Sequence, residues 1–516
     1  MKNIKNLFVA LSVVVTLTAC EKDFLETRPT ELVSATDIQE ASVLNPGLQA
    51  ANVGGIYATM YQAGSGGTGG HDDFGHKGYD IYGDMLSGDM VLGAIIYGWY
   101  RTITEFQTTT DFTFTDNYQV WRFYYRVIFA ANIVIDGLTS EDQPIPTNAE
   151  GRHYLGQAKA MRAWAYFYLA QYFQENPGNQ SEEILPIYTN TAQPNQGLSS
   201  ASDVYDLIIK DLHVDPDNPG SEAINLLDGF NRSAKSEINQ DVARGIAAYA
   251  YGARGQAGDW EQVRDLTREI VVTNGLAANL MTATEVVYDS NTGTGGGFND
   301  ASISGWMWGV DLTNDSGLGL ISWWGVMDVF TYSYAWAGDG KSIDLDLRAQ
   351  IAADDVRLGQ FQGDIYGRPG MFLPYGKFFH PNRTIGGQRA IDADYVYMRV
   401  AEMILLHAEA RAQLGEETEA KQVLQLLIDN RVPAGSSSYD LTNLSGQALK
   451  DMIYLQTRIE LWGEGKSYLA MKRNRATITR GPNHLSNAGS SYSFDADELT
   501  FEIPELEILN NPEISN

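Results

Sequence analysis

The chain has 516 residues, 44% of them hydrophobic and 20% charged, enough for one large core or two to three domains. A formal net charge of -29 argues against nucleic acid or an anionic membrane as the main partner, because phosphate contacts need a Lys/Arg surface. It mildly favours a neutral ligand over a polyanion, although a local basic patch could still bind an anion.

Lys2 and Lys5 precede an apolar run from Leu7 to Leu17, which is too short to span a bilayer. With Leu17-Thr18-Ala19-Cys20 after it, the start reads as a lipoprotein signal peptide over residues 1–19, with the lipid on the Cys20 thiol. Cys20 is the sole cysteine, so there is no disulfide framework. No other long apolar run occurs, which makes that lipid the only expected anchor.

Residues 20–40 are a polar tether. Three parts follow within one compact unit: a helical part over 41–292, a loop-rich aromatic insertion over 293–392 and a second helical part over 393–516. Leu44 to Tyr61 is loosely periodic and reads as a first helix. Residues 63–80 read as a glycine-rich loop, and 81–99 as mixed. Val120 to Leu138 and Ala158 to Phe173 read as strong helices, Asn176 to Gly197 as loop, and Val204 to Leu212 as a short helix. Asn239 to Asn274 is a complete helical hairpin. From Gly293 to Pro381 helical stripes fade into glycine, aromatic and Asp-rich sequence, read as long loops with short strands. Helices return at Tyr395 and run to about Arg473, and the tail from Thr500 reads as extended, capped by prolines.

Tyr395 to Arg431 organises the whole. Met398, Ala401, Leu405, Ala408 and Ala412 make one stripe. Gly415 breaks the run, and Ala420, Val423, Leu424, Leu427 and Ile428 make a second. So short a break implies an antiparallel helix pair. ARGQAGDWEQV at 253–263 matches ARAQLGEETEA at 410–420 in step, a hairpin repeated far apart in the chain. An Ala-rich first helix, a Gly before the turn and an apolar second helix form the tetratricopeptide pattern.

These pieces, in order, resemble the SusD/RagB family of outer-membrane lipoproteins from Bacteroidetes. The resemblance rests on Phe24-Leu25-Glu26-Thr27-Arg28-Pro29 behind the lipobox, Ala160-Met161-Arg162-Ala163-Trp164-Ala165-Tyr166-Phe167, Arg399-Val400-Ala401-Glu402 through Ala408-Glu409-Ala410, Glu460-Leu461-Trp462-Gly463-Glu464-Gly465, and Ile503-Pro504 with Glu507-Ile508 and Asn510-Asn511-Pro512. Gln456, Thr457, Ser467 and Ala470 depart from the family pattern at positions that look like an ion-pair network, which puts local packing in question. The resemblance implies a mostly α fold of about four tetratricopeptide-like pairs with an irregular, loop-rich ligand face. It also implies a partner, a SusC-like TonB-dependent transporter, and an outer-membrane location facing the cell exterior.

The strongest local signal for a ligand site is aromatic. Trp306, Trp308, Trp323, Trp324 and Trp336 place five of the ten tryptophans in a short non-helical stretch, with Tyr332 and Tyr334 between them. Flat aromatic faces stack on the C–H faces of sugar rings, so these seven, with Trp99 from a weaker cluster of Tyr97, Trp99 and Tyr100, are the candidate ligand-binding residues. About half of the aromatics are expected in the core. Asp72 and Asp73, beside His71 and His76, are read as a polar rim to the site; a metal set there is the less favoured reading, and no metal or cofactor is assigned. No catalytic residue is assigned either. H-E-x-x-H and G-x-S-x-G are absent, and no spacing marks a carboxylate pair. The expectation is a non-enzymatic protein that captures a glycan. The alternatives are a peptide-capturing RagB-like protein or a lipid-anchored glycoside hydrolase.

Overall fold

The computed structural model describes residues 41–514 except 43, 141–144, 213–233 and 364–367. The signal peptide, Cys20 and the tether lie outside the described residues. Eleven helices of nine residues or more are described: α1 (Ala50–Thr59), α2 (His76–Leu86), α3 (Thr115–Leu138), α4 (Ala149–Phe173), α5 (Ala201–Leu212), α6 (Gln240–Arg254), α7 (Asp259–Arg268), α8 (Val400–Gln413), α9 (Glu417–Ile428), α10 (Gly446–Glu460) and α11 (Lys466–Asn474).

The helices pack as consecutive pairs, α3 with α4, α6 with α7, α8 with α9 and α10 with α11. Further contacts of α4 with α5, α5 with α6, α7 with α8 and α8 with α10 join the pairs into one array. The fold is therefore mostly α, with paired helices and loop-rich regions. The repeated sequence marks real turns. Gly255 (φ +64) closes α6 and Gly415 (φ +77) sits between α8 and α9, both in the left-handed region that glycine enters freely. Asn148 and Asn239 start α4 and α6, each side-chain oxygen accepting from the backbone N–H three residues on. Small residues allow close approach: a Cβ on Gly245 in α6 would stand 2.8 Å from Met398 Sδ.

α4 is buried on every side, from Gly151 to Phe173 nearly without a break, as befits a central helix. It begins nine residues before the expected start, and α3 begins five before. α2 rises out of the expected glycine-rich loop at His76; two glycines and several polar residues hide its pattern, yet every residue in it is buried. The stretch 395–399 is a strand, not the head of a helix. Aromatic and β-branched residues there pair with 306–310. We label Met90–Leu92 β1, Trp306–Val310 β2, Lys341–Ile343 β3 and Tyr395–Arg399 β4. β1 pairs antiparallel with β3 (Met90 opposite Ile343), and β2 with β4 (Trp306 opposite Arg399). The tail is not wholly extended, since Glu505–Asn510 forms a short helix after Pro504.

One contiguous apolar core runs through all three parts of the chain. A buried ion network ties the loops to the helices. Glu460 at the end of α10 accepts from Arg431 (2.8 and 2.9 Å), Arg399 (3.2 Å) and Arg357 (3.3 Å). Glu464 accepts from Arg399 (2.7 Å) and from Lys377 (2.9 Å). Gln456 keeps its place in this network: its amide oxygen accepts from Arg357 at 2.6 Å, while Asp355 supplies that guanidinium's carboxylate. Packing at that departure is intact.

Candidate functional site

Four of the candidate tryptophans are core residues. Trp306 and Trp308 on β2, and Trp323 and Trp324 in the short helix Trp323–Met327, are 2%, 1%, 2% and 0% exposed. Trp308 meets Tyr57, Trp164 and Tyr397 at ring-centroid distances of 6.5, 6.0 and 5.1 Å. Trp323 lies under the Lys77 ammonium (4.3 Å), and Trp324 Nε1 donates to the Ala393 carbonyl at 2.8 Å. In a loop-built layer without regular helices, the largest rings fill the space over α2 and α4. None of the four is a platform for a ligand.

Asp72 and Asp73 are also corrected: both are buried and face inward. Asp73 accepts from Gly66 N (2.7 Å), Thr68 N (2.9 Å) and Thr68 Oγ1 (2.8 Å), which folds the glycine-rich loop over it. Asp72 accepts from the Tyr82 hydroxyl, and burial, reinforced by Asp116, lifts its carboxyl to about 6. His71 and His76 part company. His71 Nδ1 bonds the Tyr334 hydroxyl, whereas His76 is enclosed by Tyr124, Trp164 and Tyr168 and held to about 3, chiefly by burial. These four side chains form no common ligand set.

The remaining candidates converge. The 93–100 loop meets the 331–339 loop: Tyr97 and Trp99 pack against Tyr334, and Tyr332 and Trp336 flank Tyr334 in the same loop. His71 stacks on Trp99 (centroids 4.8 Å apart, planes 6° apart) and tilts against Tyr334 (5.7 Å). Tyr334 is edge-on to Tyr97 (5.1 Å) and Trp99 (6.4 Å). Tyr332 leans on Trp336 (5.6 Å), and the Arg389 guanidinium lies 4.0 Å from the Tyr332 ring centroid. Tyr334 is itself mostly covered, while Trp99, Tyr332 and Trp336 are half-buried and Tyr97 is 53% exposed. Tyr100, the third member of the weaker cluster, is core.

Backbone clamps fix these rings. Asp339 accepts from Ile96 N (2.8 Å) and Tyr97 N (2.9 Å). Arg368 Nη1 donates to the carbonyls of Gly338 (3.0 Å) and Gly93 (3.3 Å). Asp328 accepts from Phe330 N (2.9 Å), Thr331 N (3.3 Å) and His380 N (3.0 Å), and burial lifts its carboxyl to about 6 despite them. Both acids are therefore occupied with main-chain donors. His71 lies below its ordinary value through burial and is neutral at pH 7. The surface thus offers flat rings, hydroxyls and a guanidinium on a rigid frame. Sequence reading missed Arg389, Arg368 and Asp339, which no spacing marks, because their roles exist only across the loop–loop contact.

Two family models match the chain: "SusD family" over residues 362–506 and "Starch-binding associating with outer membrane" over residues 85–254. A SusD-like protein of Bacteroides ovatus is 28% identical over 176 residues, covering 33% of this chain but only 29% of that relative. A SusD-like protein of Formosa agariphila is 34% identical over 96 residues, 18% of this chain and 19% of that protein. The matches thus span less than a third of either curated relative. Among solved structures, a SusD-like carbohydrate binding protein from Bacteroides vulgatus superposes with a TM-score of 0.70 at 23% identity, covering 91% of this chain and 97% of its own. A surface glycan-binding protein from Bacteroides thetaiotaomicron, solved with laminarihexaose, gives a TM-score of 0.63 at 14% identity over 89% of this chain and 97% of its own. At such identities the structures establish the fold. With both family models in chain order on that fold, the chain belongs to the SusD-like family.

Proposed function

We propose that the chain is a binding protein that captures a neutral polysaccharide or oligosaccharide on the aromatic surface of Tyr97, Trp99, Tyr332 and Trp336, with Tyr334 and His71 beneath. The observation that carries this reading is the convergence of partly exposed rings from two loops more than 230 residues apart, held by the buried Asp339 carboxylate and the half-buried Arg368 guanidinium. Rings held in this way stack on sugar C–H faces with little ordering cost. The glycan-bound neighbour and the starch-binding family description support the ligand class. In this reading Cys20 anchors the chain in the outer membrane, facing the cell exterior, and the ligand passes to a SusC-like TonB-dependent transporter. Capture without chemistry fits the site, because Asp339 and Asp328 serve backbone N–H groups rather than standing as a free acid and nucleophile.

Calorimetric titration of the soluble chain from Glu21 against neutral and acidic polysaccharides, with reducing-sugar release assayed in the same tubes, tests this. Trp99→Ala and Trp336→Ala should each weaken binding about tenfold, about 1.4 kcal/mol, with little change in melting. Trp308→Ala should instead lower stability. Released sugar would replace capture with hydrolysis, and binding of peptides alone would favour the peptide reading.

A further inference from the structure

The turn of the first repeated hairpin and the end of α8 in the second border a cleft of about 310 Å³, at the small end of the size range of ligand pockets. The end of α6 and the start of α7 form one wall, with Trp260 half-exposed. Gln413 at the end of α8, Lys450 of α10 and the end of α11 form the other. Lys450, Lys472, Arg473 and Arg475 line it, and no Asp or Glu is among its described lining residues. On a chain of net charge -29 this concentration of cations runs against the average surface.

Three of these cations have no carboxylate partner among the described residues. Lys450 donates to Gln413 (2.7 Å), Arg475 to the Pro177 carbonyl (3.4 Å) and Lys472 to Thr500 Oγ1 (2.5 Å); only Arg473 is paired, with Glu409 at 2.6 Å. Lys472 is 2% exposed and uses one of its three donors. Helix C-termini attract cations, which accounts for the presence of charge at the end of α11; the Lys472 ammonium is nonetheless buried on a hydroxyl, with the carboxylates of Glu182, Asp495 and Glu175 acting on it only at longer range. The wall is shaped around these groups as well: a Cβ on Gly178 (φ +90) would stand 2.5 Å from Arg475 Nη2.

We propose that this cleft is a second binding site, for a small ligand bearing an oxyanion, a carboxylate or sulfate, held by Lys472, Lys450 and Arg475 with Trp260 as its apolar wall. It shares no residue with the aromatic surface and stands or falls independently of it. Burial holds Lys472 down to about 7 against the opposing carboxylates of Glu182, Asp495 and Glu175, so a bound oxyanion adds to their pull and favours its charged form. Binding therefore takes up protons near neutrality and weakens as pH rises through that range.

The test is calorimetry of the full chain in detergent with sodium sulfate, sodium glucuronate and glucose, at constant ionic strength balanced with chloride. Saturable binding of sulfate or glucuronate but not glucose is expected. Lys450→Gln with Arg475→Gln should weaken it tenfold or more, Trp99→Ala should leave it unchanged, and Lys472→Met should abolish its pH dependence. Tighter glucuronate than sulfate assigns the site to a charged saccharide, and the reverse to a free oxyanion. Absence of saturable binding to either, or binding indifferent to the double variant, overturns the proposal. Lys450 and Arg475 are not fully buried, so that variant remains folded and informative even where Lys472→Met does not.

Discussion

Replacing Glu460 by Gln perturbs the junction between helices and ligand-face loops most directly. Its carboxylate, 2% exposed, takes four hydrogen bonds from Arg431, Arg399 and Arg357. Burial alone would raise its pKa, but the three guanidinium groups outweigh burial and hold it well below the usual range, so the charge is present in the folded protein. Gln fills nearly the same volume but turns an N–H₂ toward a guanidinium and leaves Arg431 without a full counter-charge. Breaking a buried pair from one side costs about 3–5 kcal/mol. The loss of two charge-assisted hydrogen bonds, about 1.5–3 kcal/mol each, gives about 3–6 kcal/mol, which overlaps that range. Unfolding entropy of about 2.1 cal/mol/K per residue makes about 1 kcal/mol equivalent to about 1 °C for a chain of this length that melts as one core. Glu460→Gln should therefore lower Tm by about 3–5 °C in a circular-dichroism melt. Arg101→Ala, which breaks a surface pair with Glu105, should change it by under about 1 °C. Equal shifts in the two variants would refute the view that the network joins the loops to the scaffold.

Acid should act through two groups of opposite charge type. Glu464, which burial would raise but Arg399 and Lys377 hold to about 2, contributes stability above its unfolded value near 4.5 that is lost as pH falls toward 2. His76, held to about 3 by burial, stays neutral in the fold while the unfolded chain takes up its proton, so stability falls as pH drops from about 6.5 toward 3, by at most about 1.4 kcal/mol per pH unit. Urea titrations of His76→Gln should flatten the segment between pH 6.5 and 4.5; an unchanged slope there would remove His76 from the account. Gly465→Ala puts a Cβ 2.2 Å from Asp80 Oδ1 at φ +74, whereas at Gly415 (φ +77) nothing stands within 4 Å. The first should cost at least about 2 kcal/mol and the second about 1 kcal/mol, and a reversed order in urea midpoints would contradict the packing at the start of α11.

What the sequence by itself determined was local in origin. The stripes of α3, α4, α6, α8 and α9, the turn glycines at 255 and 415, and the repeat between them could all be read from a few neighbouring residues, because helix faces and left-handed turns are set within one or two turns of chain. The ordered motifs gave the family. The tertiary structure decided which side of the surface each large ring lies on. Trp306, Trp308, Trp323 and Trp324 look no different in sequence from Trp336, yet β4, α2 and α4 cover the first four and leave the last half-open. Asp72 and Asp73 were misread for the same reason, since the donors that claim them come from folded loops. The cationic cleft gathers residues from five helices and one loop, and Glu460 gathers arginines 29, 61 and 103 positions away. Burial and charge pairing are sums over long-range neighbours, which no local period records.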